Sequence, residues 1–120
     1  MPPEERDPGL LWDSLRQALR IGNSVRGMSQ EEYSRDENTR LIVERRLEIM
    51  GEIVKRVSNR TTASLSEIPW SGIVGQRNVL AHEYDAIDED KIWVTVTLSI
   101  PELVAVLEAY LANHPPAPDP

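Results

Sequence analysis

The chain is 120 residues long, carries a formal charge of −7 and contains no cysteine. Its length predicts one domain with a single core, and its acidic balance excludes a surface that grips nucleic acid through many neutralised phosphates. Contact with RNA must then be local or shared with a partner, and no DNA binding is expected. Without cysteine there is neither a disulfide framework nor a thiolate metal site.

Residues 1–9, MPPEERDPG, are too polar and proline-rich for a signal peptide and are predicted to be a flexible lead. No apolar run approaches membrane-spanning length, so the expectation is a cytoplasmic protein with no membrane segment. A helical domain is expected over residues 10–113, closed by a disordered proline-rich tail, HPPAPDP, at 114–120.

From Leu11, the positions Leu15, Ala18, Gly22 and Val25 return to one side at helical spacing while Asp13, Arg16 and Arg20 point away, which predicts a first amphipathic helix. Ser29 and Glu32 in SQEE form a capping-box pattern, so the chain stops near Gly27 and restarts. A second long helix is predicted from about Asp36 to Val57. Its apolar stripe is Val43, Leu47, Met50, Val54 and Val57, widened by Ile42, Ile49 and Ile53, with Glu44, Arg45, Glu48, Glu52 and Lys55 opposite. Arg46 interrupts that stripe, falling between Val57 and Ile53 at about 100° per residue. Its ordinary reading is a stem laid along the apolar edge with the charge in water. The sharper reading is a contact with RNA or with a partner.

SNRTTASLSE reads as loop, after which EIPW opens a third helix with proline in its first turn, running through GIVGQRNVLA. The next segment, IWVTVTLSI, alternates apolar and hydroxyl residues like a strand. Acidic DEDK precedes it, as suits a helix start, and nothing else in the chain offers a partner strand, so it is predicted to be helix. Ser99 and Glu102 in SIPE make a second capping-box pattern, predicting a kink and restart at Pro101. Leu103, Val106, Leu107, Tyr110 and Leu111 then repeat at strict helical spacing. The fold class is all-α, a bundle with short connections.

Packing does not fully account for RNVLAHEY at 77–84. If the helix persists through it, Asn78 and His82 share one face and Arg77 and Tyr84 another. Histidine can take a proton from a hydroxyl and return it to a leaving group, and arginine can fork onto phosphate oxygens as charge builds on them. Together they suffice for RNA cleavage without a metal, with a neighbouring 2′-hydroxyl as the tethered nucleophile. The ordinary reading of the same pair is a histidine at a helix C-terminus and an arginine paired with a carboxylate. A metal set of His82, Asp85 and Asp88 has one histidine and surface carboxylates behind it, and no metal ligand is assigned.

The longer stretch IPWSGIVGQRNVLAHEYDAID, followed by IWVTVTLSIPEL, resembles the HepT-type toxins of the HEPN superfamily. The shared features are an arginine, four residues, a histidine, one residue and a tyrosine, here Arg77, His82 and Tyr84. They lie between the helix start Ile68, Pro69 and Trp70 and the later Trp93 and Pro101, Glu102 and Leu103. RLEIMGEIVKRV at 46–57 is similar to the family's second long helix, and Ile53 stands where an alanine often follows the Gly-Glu pair.

The resemblance implies an up-and-down HEPN-type bundle of four to five helices, kinked at Pro101, that forms a homodimer with the Arg-His motifs facing across a shared cleft. It further implies a metal-independent endoribonuclease needing no cofactor, with Arg77 and His82 as the catalytic pair and Asn78 as the polar residue after the arginine. The implied partner is a minimal nucleotidyltransferase antitoxin of the MNT type, which transfers AMP from ATP to Tyr84 in a type VII-like toxin-antitoxin system. The alternative reading is a non-catalytic helical dimer serving as interaction or substrate-recognition partner of such a nucleotidyltransferase.

Overall fold

In the computed structural model, which describes residues 3–117, α1 (Pro3–Ser24) begins well before the expected start. The flexible lead predicted for residues 1–9 is therefore corrected from Pro3 onward, while residues 1–2 lie outside the described residues. The reason is Asp7, which is fully buried and accepts hydrogen bonds from Ser58 N–H at 3.0 Å, Ser58 Oγ at 2.5 Å and Thr61 Oγ1 at 2.5 Å. These long-range bonds fasten the first turns of α1 and offset the backbone bond that Pro8 cannot make.

Leu11, Leu15, Ala18 and Val25 are buried as predicted, and Ile21, absent from the predicted stripe, is fully buried beside the half-buried Gly22. Gly27 takes a positive φ of 78°, which suits glycine, and turns the chain into α2 (Gln30–Arg35). The first predicted capping box is formed: Glu32 N–H donates to Ser29 Oγ at 3.1 Å, and Ser29 N–H donates to Glu32 Oε1 at 3.0 Å. Asp36 then caps α3 (Glu37–Val54) by accepting from Thr39 N–H. Val43, Leu47, Met50 and Val54 form its buried stripe, and Val57 is buried from the turn that follows. The expected loop at SNRTTASLSE contains a short helix, α4 (Asn59–Ser64), capped by Ser58.

The long helices α1, α3, α5 (Trp70–His82) and α6 (Glu89–Asn113) build the expected all-α, up-and-down bundle, with α2 and α4 as short connections. α3 packs against both α1 and α5, and α1 packs against both α3 and α6. α5 is thus an outer helix, and none of its residues is fully buried.

IWVTVTLSI is helix, as predicted, because Ile92, Val96 and Ile100 enter the core at every fourth residue while Val94 and Leu98 face outward. The second capping box is not formed. Ser99 keeps helical dihedrals and makes no side-chain cap. A π turn over Thr95–Ser99 carries α6 past Pro101, with Ile100 N–H bonding to Thr95 O. α6 is 25 residues long and, by length and composition alone, apolar enough to cross a membrane. That corrects the expectation that no run reaches such length, because the helix continues unbroken through the π turn and Pro101. Ile92, Val96, Ile100, Leu103, Leu107 and Leu111 pack into the bundle core, so one side of that apolar helix is occupied by folding. α6 ends at Asn113; residues 114–117 of the predicted tail lie outside any helix, and 118–120 are outside the described residues.

Candidate active site

The segment IPW docks the start of α5. Ile68 is buried, Pro69 occupies the N-cap, and the Trp70 indole N–H donates to Thr62 O at 3.1 Å and Leu65 O at 3.0 Å. With that end held against α4, α5 runs along α3 and crosses it closely at Gly51. A Cβ on Gly51 would run into Cβ of Arg77 and would lie 3.3 Å from the Ile73 carbonyl oxygen. Only glycine leaves the stem of Arg77 room to lie there.

The Arg77 side chain is 17% exposed, and its Nη2 forms an ion pair with Glu52, the residue after Gly51. Nη1 donates to Asn78 Oδ1 at 3.1 Å, and Nε is buried without a hydrogen-bond partner. Arg77 and Asn78 are therefore brought together, and both readings of the arginine are partly realised: it is paired with a carboxylate, yet it stands on the motif helix beside exposed polar groups. The sequence pattern places Glu52 only on the polar side of its helix, although the Gly-Glu pair at 51–52 is the signal that could point to both residues.

His82 is the last residue of α5, exposed and with no side-chain hydrogen bond among the described residues. Glu83 leaves the helix with φ −132° and ψ 50°, so Tyr84 stands on a 3-10 turn, Tyr84–Ala86, and is 81% exposed. The shared face expected for Arg77 and Tyr84 is not realised, because spacing of seven places two side chains together only along an unbroken helix. Asn78 and His82 remain four residues apart on α5.

Arg46 faces the other side of α3. Its Nη1 donates to Gln17 Oε1 at 3.0 Å in the seam with α1, and its Nε is buried without a partner, so the structure does not group it with Arg77. Among the described residues no three histidine, aspartate or glutamate side chains are gathered as a metal-binding group.

A second polar cluster, unannounced in the sequence, joins α2, α3 and α6. The Tyr33 hydroxyl donates to Glu89 Oε2 at 3.3 Å, and the Tyr33 and Trp93 rings are 5.2 Å apart. Burial first, then the neighbouring Glu89 carboxyl, push the Glu44 carboxyl up to about 7, against the lowering pull of Arg40. Burial likewise pushes the Tyr33 hydroxyl up. These residues lie at separations that no local pattern reveals.

Residues 10–110 match the model of the family described as "Ribonuclease HepT-like". The chain belongs to the HepT-like ribonuclease family. Among its HepT-like relatives, a Methanocaldococcus jannaschii protein named "Putative RNase" is 30% identical over 111 residues, covering 92% of each chain. The "Probable ribonuclease HepT" of Thermococcus cleftensis is 36% identical over 88 residues, 73% of this chain and 80% of the relative. A "Putative RNase" of Caldanaerobacter subterraneus subsp. tengcongensis is 38% identical over 79 residues, 66% of this chain and 70% of the relative. No solved structure matches this HepT-like chain.

Proposed function

We propose that this protein is a metal-independent endoribonuclease of a type VII-like toxin-antitoxin system, acting on cellular RNA as a cytoplasmic homodimer. The observation that carries this reading is the presence, on one outer helix of a HepT-like ribonuclease chain, of an Arg77 held by Glu52 and an exposed His82 whose ring makes no hydrogen bond among the described residues. In the reaction, His82 takes the proton of a 2′-hydroxyl as its oxygen attacks the adjacent phosphorus. Arg77 and Asn78 meet the negative charge that gathers on the phosphoryl oxygens. The bond to the 5′-oxygen breaks, and that oxygen leaves with a proton, giving a 2′,3′-cyclic phosphate and a 5′-hydroxyl.

Two features support the homodimer. Five residues along an α-helix separate two side chains by about 7.5 Å of rise and about 140° of rotation, so a second α5 placed opposite brings an arginine and a histidine together more readily than one α5 does. Val94, Leu98, Leu41 and Ile42 also leave apolar side chains exposed for an assembly. In the same reading Arg46 contacts RNA or a subunit interface from the α1–α3 seam.

Tyr84 is the site at which an MNT-type nucleotidyltransferase silences the toxin. Its hydroxyl oxygen attacks the α-phosphorus of ATP, a Tyr–O–P bond forms, and pyrophosphate leaves. The added phosphate and base stand two residues from His82 and oppose an incoming strand by charge and volume.

The test is cleavage of RNA in EDTA by the purified protein, with His82→Ala abolishing the cut. Equal cleavage by the histidine variant refutes the assignment. The net charge of −7 and the pairing of Arg77 with Glu52 favour a second reading, a non-catalytic helical dimer acting as interaction or substrate-recognition partner of the nucleotidyltransferase. Under it, RNA stays intact while the complex with that partner forms.

A further inference from the structure

We propose that Glu52 is a positioning residue for Arg77, fixing which donors of the guanidinium are offered to an RNA phosphate; this rests on the reading of Arg77 as a catalytic group. Arg77–Glu52 is, among the described residues, the one ion pair that joins two helices. Arg35–Glu31 and Arg45–Glu48 each lie within a single helix, and Arg35–Glu31 is largely in water at 76% and 70% exposure. Pairs in water contribute little to stability, whereas a pair that spans α3 and α5 and holds a largely covered arginine fixes a geometry.

The arginine is held at three points. Its stem lies in the gap left by Gly51, Nη2 meets Glu52, and Nη1 donates to the Asn78 side-chain Oδ1. A guanidinium has five N–H donors. Two are taken by these partners and the Nε donor is buried, which leaves the remaining hydrogens of the two terminal nitrogens for a phosphate.

Such an arrangement has a kinetic signature. The Glu52 carboxylate competes with phosphate for the same positive charge, so it weakens ground-state attraction for RNA. It also settles the rotamer of Arg77 before the substrate arrives, which favours the transition state. Removing it therefore lowers kcat without raising KM.

The experiment measures RNA cleavage by wild type, Glu52→Ala, Glu52→Gln and Glu48→Ala, each checked for folded fraction by circular dichroism. Expected is a loss of roughly tenfold in kcat for Glu52→Ala with KM unchanged or lower. Glu52→Gln is expected to recover most of the loss, because its amide oxygen accepts the same N–H, and Glu48→Ala to match wild type. Unaltered kcat in Glu52→Ala, or a fall that only follows a loss of folded protein, overturns the proposal.

Modification of Arg77 by phenylglyoxal, followed by peptide mass mapping, separates this inference from the ribonuclease reading. A faster reaction at Arg77 in Glu52→Ala than in wild type is expected even if wild type cleaves no RNA. Equal rates overturn the positioning role on their own.

Discussion

The stem of Arg77 on α5 fills the space above Gly51 on α3 that a side chain would need, and the Ile73 carbonyl oxygen closes the same space at 3.3 Å. Backbone and a packed β-carbon cannot yield as the tip of a flexible side chain can. Gly51→Ala is therefore expected to push α5 outward and to cost about 1–3 kcal/mol, as overpacking does. Urea unfolding measures the loss. Cleavage of RNA by the folded fraction should fall as well, since the displaced residue is Arg77; a variant with wild-type stability and activity would show that the helices are not in contact there.

What the sequence made legible was local. The Ser29–Glu32 box involves residues three apart, and the stripes of α3 and the end of α6 are periodic within one helix, so their rules operate without knowledge of the fold. Asp7 could not be read in this way, because its partners are 51 and 54 residues away. The end of α5 was closer to legible, since the helix is predicted through Ala81 and the ordinary reading of His82 sets it at a helix C-terminus, as found; the face shared by Arg77 and Tyr84 required the helix to persist, and it ends at His82. At the candidate site, Arg77, Asn78, His82 and Tyr84 stand out by residue type, whereas the link between Glu52 and Arg77 depends on α3 and α5 lying side by side.

Asp7 provides the second prediction. Its fully buried carboxylate serves three donors, and Asp7→Ala leaves the Ser58 N–H and two hydroxyls without that partner. The expected cost is about 2–4 kcal/mol, because unsatisfied groups that stay buried lose their hydration as well. Thermal unfolding measures it. Combining Asp7→Ala with Ser58→Ala should cost less than the two single losses together, since both remove the Ser58 Oγ–Asp7 bond. Full additivity would mean that the α1–α4 connection is held by other contacts.

Glu44 makes stability depend on pH in a direction opposite to that of most carboxylates. Its pKa stands near 4.5 in an open chain and is raised to about 7 in the fold, chiefly by burial and then by Glu89. Between those values the folded state binds the extra proton, so the stabilisation is complete below about pH 4.5 and is lost as pH rises through 7. The charges that face it are Glu89, which raises the pKa, and Arg40, which lowers it, with Tyr33 bonded to the same Glu89. The urea midpoint is expected to fall between pH 5 and pH 8, and Glu44→Gln should flatten that part of the profile. A profile that keeps its slope in the variant would place the titration elsewhere.

Tyr84 offers the most selective test of the proposed regulation. Its side chain is 81% exposed on the turn just beyond α5, so nothing in its own chain shields the hydroxyl from a transferase. Because it packs so little, Tyr84→Phe should leave stability within about 0.5 kcal/mol of wild type while removing the one atom that accepts a phosphoryl group. Co-expression with an MNT-type nucleotidyltransferase is expected to add adenylyl groups to a peptide containing Tyr84, and to silence RNA cleavage in wild type. The phenylalanine variant should stay unmodified at that peptide and keep cutting RNA in the presence of the transferase. If it is silenced as fully as wild type, the antitoxin acts by occupying the protein rather than by modifying Tyr84, and exposure of that hydroxyl has another cause.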